Sequence, residues 1–126
     1  MAGDTANPRR QLEAAFERIG GYEHALLQQM LDGLAGMRDV HIWGVSDRQL
    51  PQCRTPTIAF THRRLKSLSI ARHLANEGIF VWHGNFYAMQ LTESLFLEPD
   101  GLVRIGLLHY NTPQEVDRLL EVIGQL

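Results

Sequence analysis

A lone arginine interrupts one of the most apolar segments of the chain. Residues 101–110 read GLVRIGLLHY, and Arg104 is the only Lys, Arg, Asp or Glu among them. Because successive side chains of a strand point to opposite faces, we expect Arg104 to project away from Val103 and Ile105. A guanidinium at such a position either pairs with a neighbouring acid or stays free for a ligand. The residue types alone leave both interpretations open.

The other reactive side chains are not spaced for metal binding or nucleophilic catalysis. The six histidines form no His-x-x-x-His pair and no Cys/His cluster, so we expect no metal site. Cys53 is the one cysteine, and we expect it to be structural or incidental. Lys66, the only lysine, lies in the polar segment HRRLKSLS before a predicted helix, where we expect a solvated side chain.

The composition is that of an ordinary globular domain. The 126 residues are 44% hydrophobic and 21% charged, with a formal net charge of −2. That charge favours neither nucleic acid nor an anionic membrane, and no apolar run approaches the roughly 20 residues that span a bilayer. The start, MAGDTANPRR, lacks the apolar region of a secretory signal. We therefore expect one domain over residues 1–126 and a cytoplasmic location.

The N-terminal third of the chain predicts helix. Asn7 and Pro8 suit an N-cap and a first helical residue. Apolar side chains then recur at helical spacing as far as Leu34, and Gly36 suits the helix end. The pair Gly20-Gly21 predicts a kink or a break between two helices, since each glycine costs roughly 1 kcal/mol in a helix interior.

Short strands and helices follow along the rest of the chain. Alternating residues predict strands at 40–45, 57–61, 79–82 and 101–110, with a polar loop at 46–56. Helical spacing predicts helices at 67–78 and 88–96.

The last helix has the clearest start. Thr112 is its predicted N-cap, Pro113 takes the first helical position, and Glu115 completes a capping box. The order of the elements predicts an α+β fold, with a small, mainly antiparallel sheet and helices packed on one of its faces.

The sheet face opposite the helices is too apolar for open solvent. Strand alternation assigns to it aromatic and aliphatic side chains, namely Trp43, Phe80, Trp82, Leu108 and Tyr110. An apolar face of this kind usually indicates a missing partner. A second interpretation stays open, in which the first long helix, or its front half, folds over this face.

The closing segment VRIGLLHYNTPQEVDRLL resembles the end of class V aminotransferases and cysteine desulfurases, which are pyridoxal-phosphate (PLP) enzymes of fold type I. Those enzymes have a strand with an arginine, then YNT, then a helix with acidic residues and a valine. RTPTIAF and SIARHLANEGIFVWHGNFYAMQL resemble a strand, a helix and the active-site loop of the same group. The resemblance covers roughly residues 11–125 and concerns the small C-terminal domain, whose sheet and helices agree with the fold predicted above.

The resemblance also implies what this segment does not contain. The family holds PLP in a large domain that these residues do not match, and the aldimine lysine must lie in a closed pocket, which Lys66 does not suggest. The cysteine that forms a persulfide in cysteine desulfurases aligns here with Tyr87. We therefore expect no PLP to be bound by this chain alone.

Arg104 aligns with the family arginine that binds the α-carboxylate of the amino-acid substrate. A guanidinium suits this role, since it grips a carboxylate through parallel charge-assisted hydrogen bonds, and Gly106 leaves space beside it. His83, Asn85 and Tyr87 lie in the matching loop and are possible ligand contacts, although a turn role suits Asn85 and Tyr87 better. We expect the Arg104 guanidinium to lie near His83 and Asn85.

Two classes of function follow from the sequence, and a gene fragment whose fold survives without its function is a third possibility. The first is a stand-alone or split C-terminal domain of such an enzyme, not catalytic by itself, which forms a homodimer or joins a separate PLP large-domain chain. The alternative is a module with an exposed aromatic sheet face that binds small carboxylates or another protein. Aromatic side chains on an open sheet can also stack RNA bases, but the net charge of −2 and the lack of a basic stripe disfavour RNA.

Overall fold

The computed structural model describes residues 7–46 and 53–126, which form four helices and four strands. In chain order these are α1 (Pro8–Ala35), β1 (Val40–Trp43), β2 (Thr57–His62), α2 (Ser67–Asn76), β3 (Trp82–Gly84), α3 (Met89–Ser94), β4 (Leu102–Gly106) and α4 (Pro113–Gly124). The predicted loop at 46–56 falls largely on residues 47–52, which lie outside the described part of the chain.

The strands form one antiparallel sheet in the order β1-β2-β4-β3. Helices α1, α2 and α4 contact one another or the sheet on one side, which we call the inner face. The core between them is aliphatic except for Phe60; its fully buried members include Leu27, Met30, Ile58, Phe60, Leu74 and Val103. The predicted α+β fold is confirmed.

Helix α1 runs unbroken through Gly20 and Gly21, so the alternative of two separate helices is wrong. One side of its second half is buried between Leu26 and Leu34, and the Tyr22 hydroxyl donates to the carbonyl of Asn111 at 2.7 Å. These tertiary contacts offset the glycine cost of roughly 1 kcal/mol each. Its first half lies in solvent, and Phe16 is 63% exposed.

The third strand begins later than the sequence pattern predicts. The expected strand was 79–82, whereas β3 is Trp82–Gly84. The amide of Ile79 is used to close α2, because it donates to the carbonyl of Leu74 at 2.8 Å. Ile79 and Val81 still pack against the core, so the predicted alternation between the two sheet faces is correct. Pairing with β4 begins only at Trp82.

The predicted start of α4 is confirmed in detail. The Thr112 side chain accepts a hydrogen bond from the Glu115 amide at 3.3 Å, and Glu115 accepts one from the Thr112 amide at 2.7 Å. Both halves of the capping box are therefore formed.

The described residues contain neither a membrane-spanning helix nor a metal-binding cluster. None of their helices combines the length and apolar character needed to cross a membrane. Within residues 7–46 and 53–126, no group of three or more His, Cys, Asp or Glu side chains is placed to hold a metal ion.

Candidate functional site: the outer sheet face around Arg104

Arg104 lies in a row of side chains that crosses the whole sheet. The strand registers pair Trp43 with Ala59, Ala59 with Arg104, and Arg104 with Trp82. Directly opposed residues of neighbouring strands share a face. Val103 and Ile105 on either side of Arg104 are buried in the core, so this row lies on the face away from the helices, which we call the outer face.

The Arg104 side chain is exposed and has no acidic partner. Its guanidinium carbon lies 4.1 Å from the centre of the Phe86 ring, a cation–π contact. Among the described residues it forms no ion pair and no side-chain hydrogen bond. The interpretation of Arg104 as half of a salt bridge therefore finds no support in this part of the chain.

The loop after β3 holds Phe86 against Arg104. Phe86 and Tyr87 both have left-handed backbones, with φ of 55° and 63°. Asn85 stabilises this turn, because its side-chain oxygen accepts from the Tyr87 amide at 3.2 Å and its carbonyl accepts from the Ala88 amide at 2.9 Å. Asn85 thus has a turn role, and the Tyr87 side chain projects fully into solvent.

The loop is anchored by a close backbone approach between β3 and β4. Gly101 has φ of +64°, and a Cβ there would overlap the backbone of Gly84. Only glycine accommodates both the positive φ and the close approach. This contact fixes the end of β3 from which the Phe86 loop departs.

The expected place of His83 beside Arg104 is wrong. His83 belongs to β3 and pairs with Val103, whose side chain is fully buried in the core. Strand alternation therefore turns His83 toward the inner face, away from Arg104. The late start of β3 explains the difference, since the predicted pattern placed His83 in the following loop.

The expected apolar residues of the outer face are mostly exposed. Phe80 is 87% exposed and Trp82 70%. Leu108 and Tyr110 are exposed as well, but they lie in the turn after β4, because this strand ends at Gly106 and not at residue 110 as predicted. Trp43 is half-buried, and its indole nitrogen donates to the Thr61 hydroxyl at 3.0 Å. Helix α1 leaves these side chains open to solvent, so the interpretation in which it folds over this face is wrong.

A shallow depression of about 640 Å³ lies beside Arg104. The side chains of Phe80 and Trp82 form part of its wall, and Gly106 leaves its floor open. Among the described residues that line it, Arg104 is the one charged side chain, and the others are small or apolar. A depression of this size can accept a small organic anion.

Arg54 is a second arginine of structural interest, which the sequence did not single out. Its guanidinium donates to the carbonyl of Thr57 at 2.7 Å and to that of Val45. Partial burial lowers the pKa of its side chain below the ordinary arginine value. Arg54 therefore holds the start of β2 and the end of the β1 segment together, next to the depression.

Phe86 is the site residue that sequence reasoning missed. The aromatic pair Phe86-Tyr87 directly after Gly84-Asn85 was the available signal, but only the turn geometry shows which of the two rings covers Arg104. The reactive side chains elsewhere are exposed: Cys53 precedes β2, and Lys66 is the N-cap residue of α2.

Comparison with known proteins agrees with this fold. The geometry defines a small α+β domain whose open sheet face carries an arginine. The family model described as "Aminotransferase class-V" matches residues 11–119. The chain belongs to the class V aminotransferase family.

Curated relatives match most of this chain but a small share of their own length. The "Aminotransferase-like protein FGM3" of Gibberella zeae is 30% identical over 118 residues, which are 90% of this chain and 28% of that protein. A "Cysteine desulfurase" of Cronobacter sakazakii is 36% identical over 105 residues, 83% of this chain and 24% of that protein. The chain thus spans about a quarter of the length of these relatives.

Solved structures show the same fold. The apo cysteine desulfurase of Thermococcus onnurineus NA1 superposes with a TM-score of 0.79 at 24% identity, over 93% of this chain and 28% of that one. The cysteine desulfurase CsdA of Escherichia coli gives a TM-score of 0.70 at 21% identity, over 83% of this chain and 24% of that one.

Proposed function

We propose that the chain is a stand-alone or split C-terminal domain of a cysteine desulfurase-like or aminotransferase-like PLP enzyme, and that it does not catalyse by itself. Its contribution is Arg104, which contacts the carboxylate of an amino-acid substrate. The observation that carries the proposal is the exposed Arg104 guanidinium, without an acidic partner in the described residues, at the position that the resemblance matches to the carboxylate-binding arginine of the family.

The surroundings of Arg104 suit carboxylate binding. The Phe86 ring lies against the guanidinium but offers it no oxygen or nitrogen acceptor, so the N–H donors of Arg104 remain available to an anion. A carboxylate approaching one edge would accept parallel charge-assisted hydrogen bonds. Gly106, two residues further along the same face, leaves space for the rest of the ligand.

The described residues do not fit a PLP site. Lys66, the only lysine of the chain, is exposed at the N-cap of α2, whereas an aldimine lysine needs a closed pocket. It follows β2 on the connection to α2 and does not line the depression beside Arg104. We therefore derive no step through PLP for this chain.

The described residues do not fit persulfide formation either. Tyr87 stands where the resemblance places the persulfide cysteine of cysteine desulfurases, and a phenol cannot take that role. Cys53, the only thiol, lies before β2 and not in this loop.

The proposal includes a partner and a location. The exposed outer face is suited to a second copy of the chain or to a separate PLP large-domain chain, because its aromatic rings would be buried in either assembly. We also propose a cytoplasmic location. We propose no nucleic-acid or membrane partner, in keeping with the net charge of −2.

The absorbance spectrum of the chain with added PLP tests the non-catalytic role. We expect the spectrum of free PLP and no band of an internal aldimine, because Lys66 is solvated. The matched control is the Lys66→Ala variant, whose spectrum should be the same. An aldimine band that is present with the natural chain and lost in Lys66→Ala would contradict the proposal.

A further inference from the structure

A cleft of about 660 Å³ opens along the β3 edge of the domain, between the chain that precedes β3 and helix α4. We propose that this edge cleft binds a medium-chain aliphatic carboxylate, whose chain lies in the cleft and whose carboxylate contacts Arg118 at the rim. The inference goes beyond the proposed function, because Arg104 does not line the edge cleft.

The edge cleft follows from the late start of β3. The amide of Ile79 closes α2 through the carbonyl of Leu74, and pairing with β4 begins only at Trp82. The chain at 79–81 therefore runs beside β4 without joining its ladder, and Ile79 and Val81 are only partly buried. An edge that is not closed against α4 leaves a gap that leads to the core.

The inner surface of the edge cleft is aliphatic. Buried core side chains form its floor and partly buried ones form its wall, namely Ile105, Leu107, Val116 and Leu119 with Ile79 and Val81. Such side chains contact methylene groups well and offer no hydrogen bond to a polar group. A volume of this size is in the range of small-molecule sites, and each methylene that enters it leaves water. The lining therefore selects an aliphatic chain.

Arg118 at the rim selects the charge of the ligand. Its Nη2 donates to the carbonyl of Glu77 at 2.8 Å, next to Gly78, which lines the edge cleft. The Glu77 carboxylate is 3.8 Å from the same nitrogen, longer than a hydrogen bond, and the Arg118 side chain is 59% exposed. A guanidinium has five N–H donors, so a ligand carboxylate can bind while the contact with the Glu77 carbonyl remains.

Glu115 also lines the edge cleft, but its carboxylate is engaged at the start of α4. It accepts from the Thr112 amide at 2.7 Å and from the Asn111 side chain at 3.4 Å. The two charges of the rim thus have different roles. Glu115 completes the capping box, and Arg118 offers its remaining donors to an anion.

A titration of the full 126-residue chain, followed by amide chemical shifts, tests this inference. The ligands are hexanoate, octanoate and octan-1-ol. We expect octanoate to bind about tenfold more tightly than hexanoate, because two more methylenes leave water. Octan-1-ol has the same chain without the charge and should bind about tenfold more weakly than octanoate. The shifts should centre on Val81, Leu107 and Val116.

Two variants separate the chain contact from the carboxylate contact. Arg118→Gln should weaken octanoate to the level of octan-1-ol and leave octan-1-ol unchanged. Val81→Phe should fill part of the edge cleft and weaken both ligands about tenfold. Arg72→Gln, at an exposed position of α2 that does not line the edge cleft, is the matched control and should change neither ligand. Retained amide spectra show that each variant is folded.

Several results would overturn the inference. Equal affinity for hexanoate and octanoate would contradict the aliphatic chain contact, and octanoate binding unchanged in Arg118→Gln would contradict the carboxylate contact. Both comparisons decide even if Val81→Phe does not fold. No shift in the edge cleft with any ligand would also overturn it. Octanoate shifts confined to Ala59, Trp82 and Phe86 would place the ligand at Arg104, so the inference would fail while the proposed function stood.

Discussion

The two arginines near the outer face differ in what their side chains do. Arg104 is exposed and touches Phe86, whereas Arg54 is half-buried and donates to the carbonyls of Thr57 and Val45. An exposed arginine without an ion pair adds little to folding, while a half-buried hydrogen-bonded one holds two segments together. The free energy of unfolding of the two alanine variants should therefore differ.

We expect Arg104→Ala to change the free energy of unfolding by less than about 0.5 kcal/mol, as is usual for exposed positions. Arg54→Ala should cost about 1–3 kcal/mol, because two backbone carbonyls lose their charged donor. Urea unfolding of the two variants measures both values. A loss of roughly 3–5 kcal/mol for Arg104→Ala would instead show that its guanidinium is half of a buried ion pair.

At the scale of single residues, the sequence predicted the sheet face of a side chain better than the contacts that the side chain makes. The alternation of Val103, Arg104 and Ile105 gave the correct face for each, because the side-chain period of a strand is fixed by its backbone. The contact between Phe86 and Arg104 was not predictable, since it depends on two consecutive left-handed residues that no local residue preference requires.

Among the elements, the start of α4 was predicted most completely. Its capping box makes a pH-dependent contribution to the free energy of unfolding. The backbone amide of Thr112, and then the side chain of Asn111, lower the pKa of Glu115 by hydrogen bonding to its carboxylate. A carboxyl with a lowered pKa in the folded state stabilises the fold above its unfolded pKa. That contribution is lost as the pH falls through the folded value.

We therefore expect Glu115→Ala to lower the thermal midpoint at neutral pH. The difference from the natural chain should shrink as the pH is lowered through and below the ordinary range of a glutamate, because Glu115 is then protonated. Thermal unfolding across this pH range measures the difference. The exposed Glu121 of the same helix supplies the control variant Glu121→Ala, which should show no comparable trend. A Glu115→Ala difference independent of pH would contradict the role of the carboxylate.

The ends of helices and strands were predicted correctly where local side-chain chemistry sets them, and they were misplaced where packing sets them. Thr112, Pro113 and Glu115 define a helix start by themselves. The start of β3 depends instead on which backbone groups remain free, and the closure of α2 by Ile79 delays pairing until Trp82. That displacement moved His83 to the inner face and removed it from the candidate site.

On the scale of the whole molecule, the fold leaves one apolar sheet face open. The sequence predicted the composition of that face, but it could not predict whether α1 covers it, because the path of a long helix depends on contacts such as that of Tyr22 with Asn111. With α1 directed elsewhere, Phe80 and Trp82 are available to a partner. A dimer formed through this face would join the same patch of both copies about a two-fold axis.

We expect the purified chain to show concentration-dependent dimerisation in sedimentation velocity. The double variant with Phe80→Ser and Trp82→Ser should shift the equilibrium to monomer, because both exposed rings are removed. Phe16→Ser, which removes a 63% exposed ring from α1, is the control and should leave the dimer intact. A strict monomer at all concentrations, or a dimer lost only in Phe16→Ser, would contradict an interface on the outer face.

The most direct test of the central claim is a titration of the chain with alanine or cysteine, followed by amide chemical shifts. We predict weak saturable binding, of millimolar affinity at best, since a charge-assisted hydrogen bond contributes only about 1.5–3 kcal/mol. Shifts should centre on Arg104 and its neighbours Ala59, Trp82 and Phe86, and Arg104→Ala should remove them while Arg104→Lys weakens them. Absence of shifts around Arg104, or shifts that persist in Arg104→Ala, would contradict the assignment of this arginine to carboxylate binding.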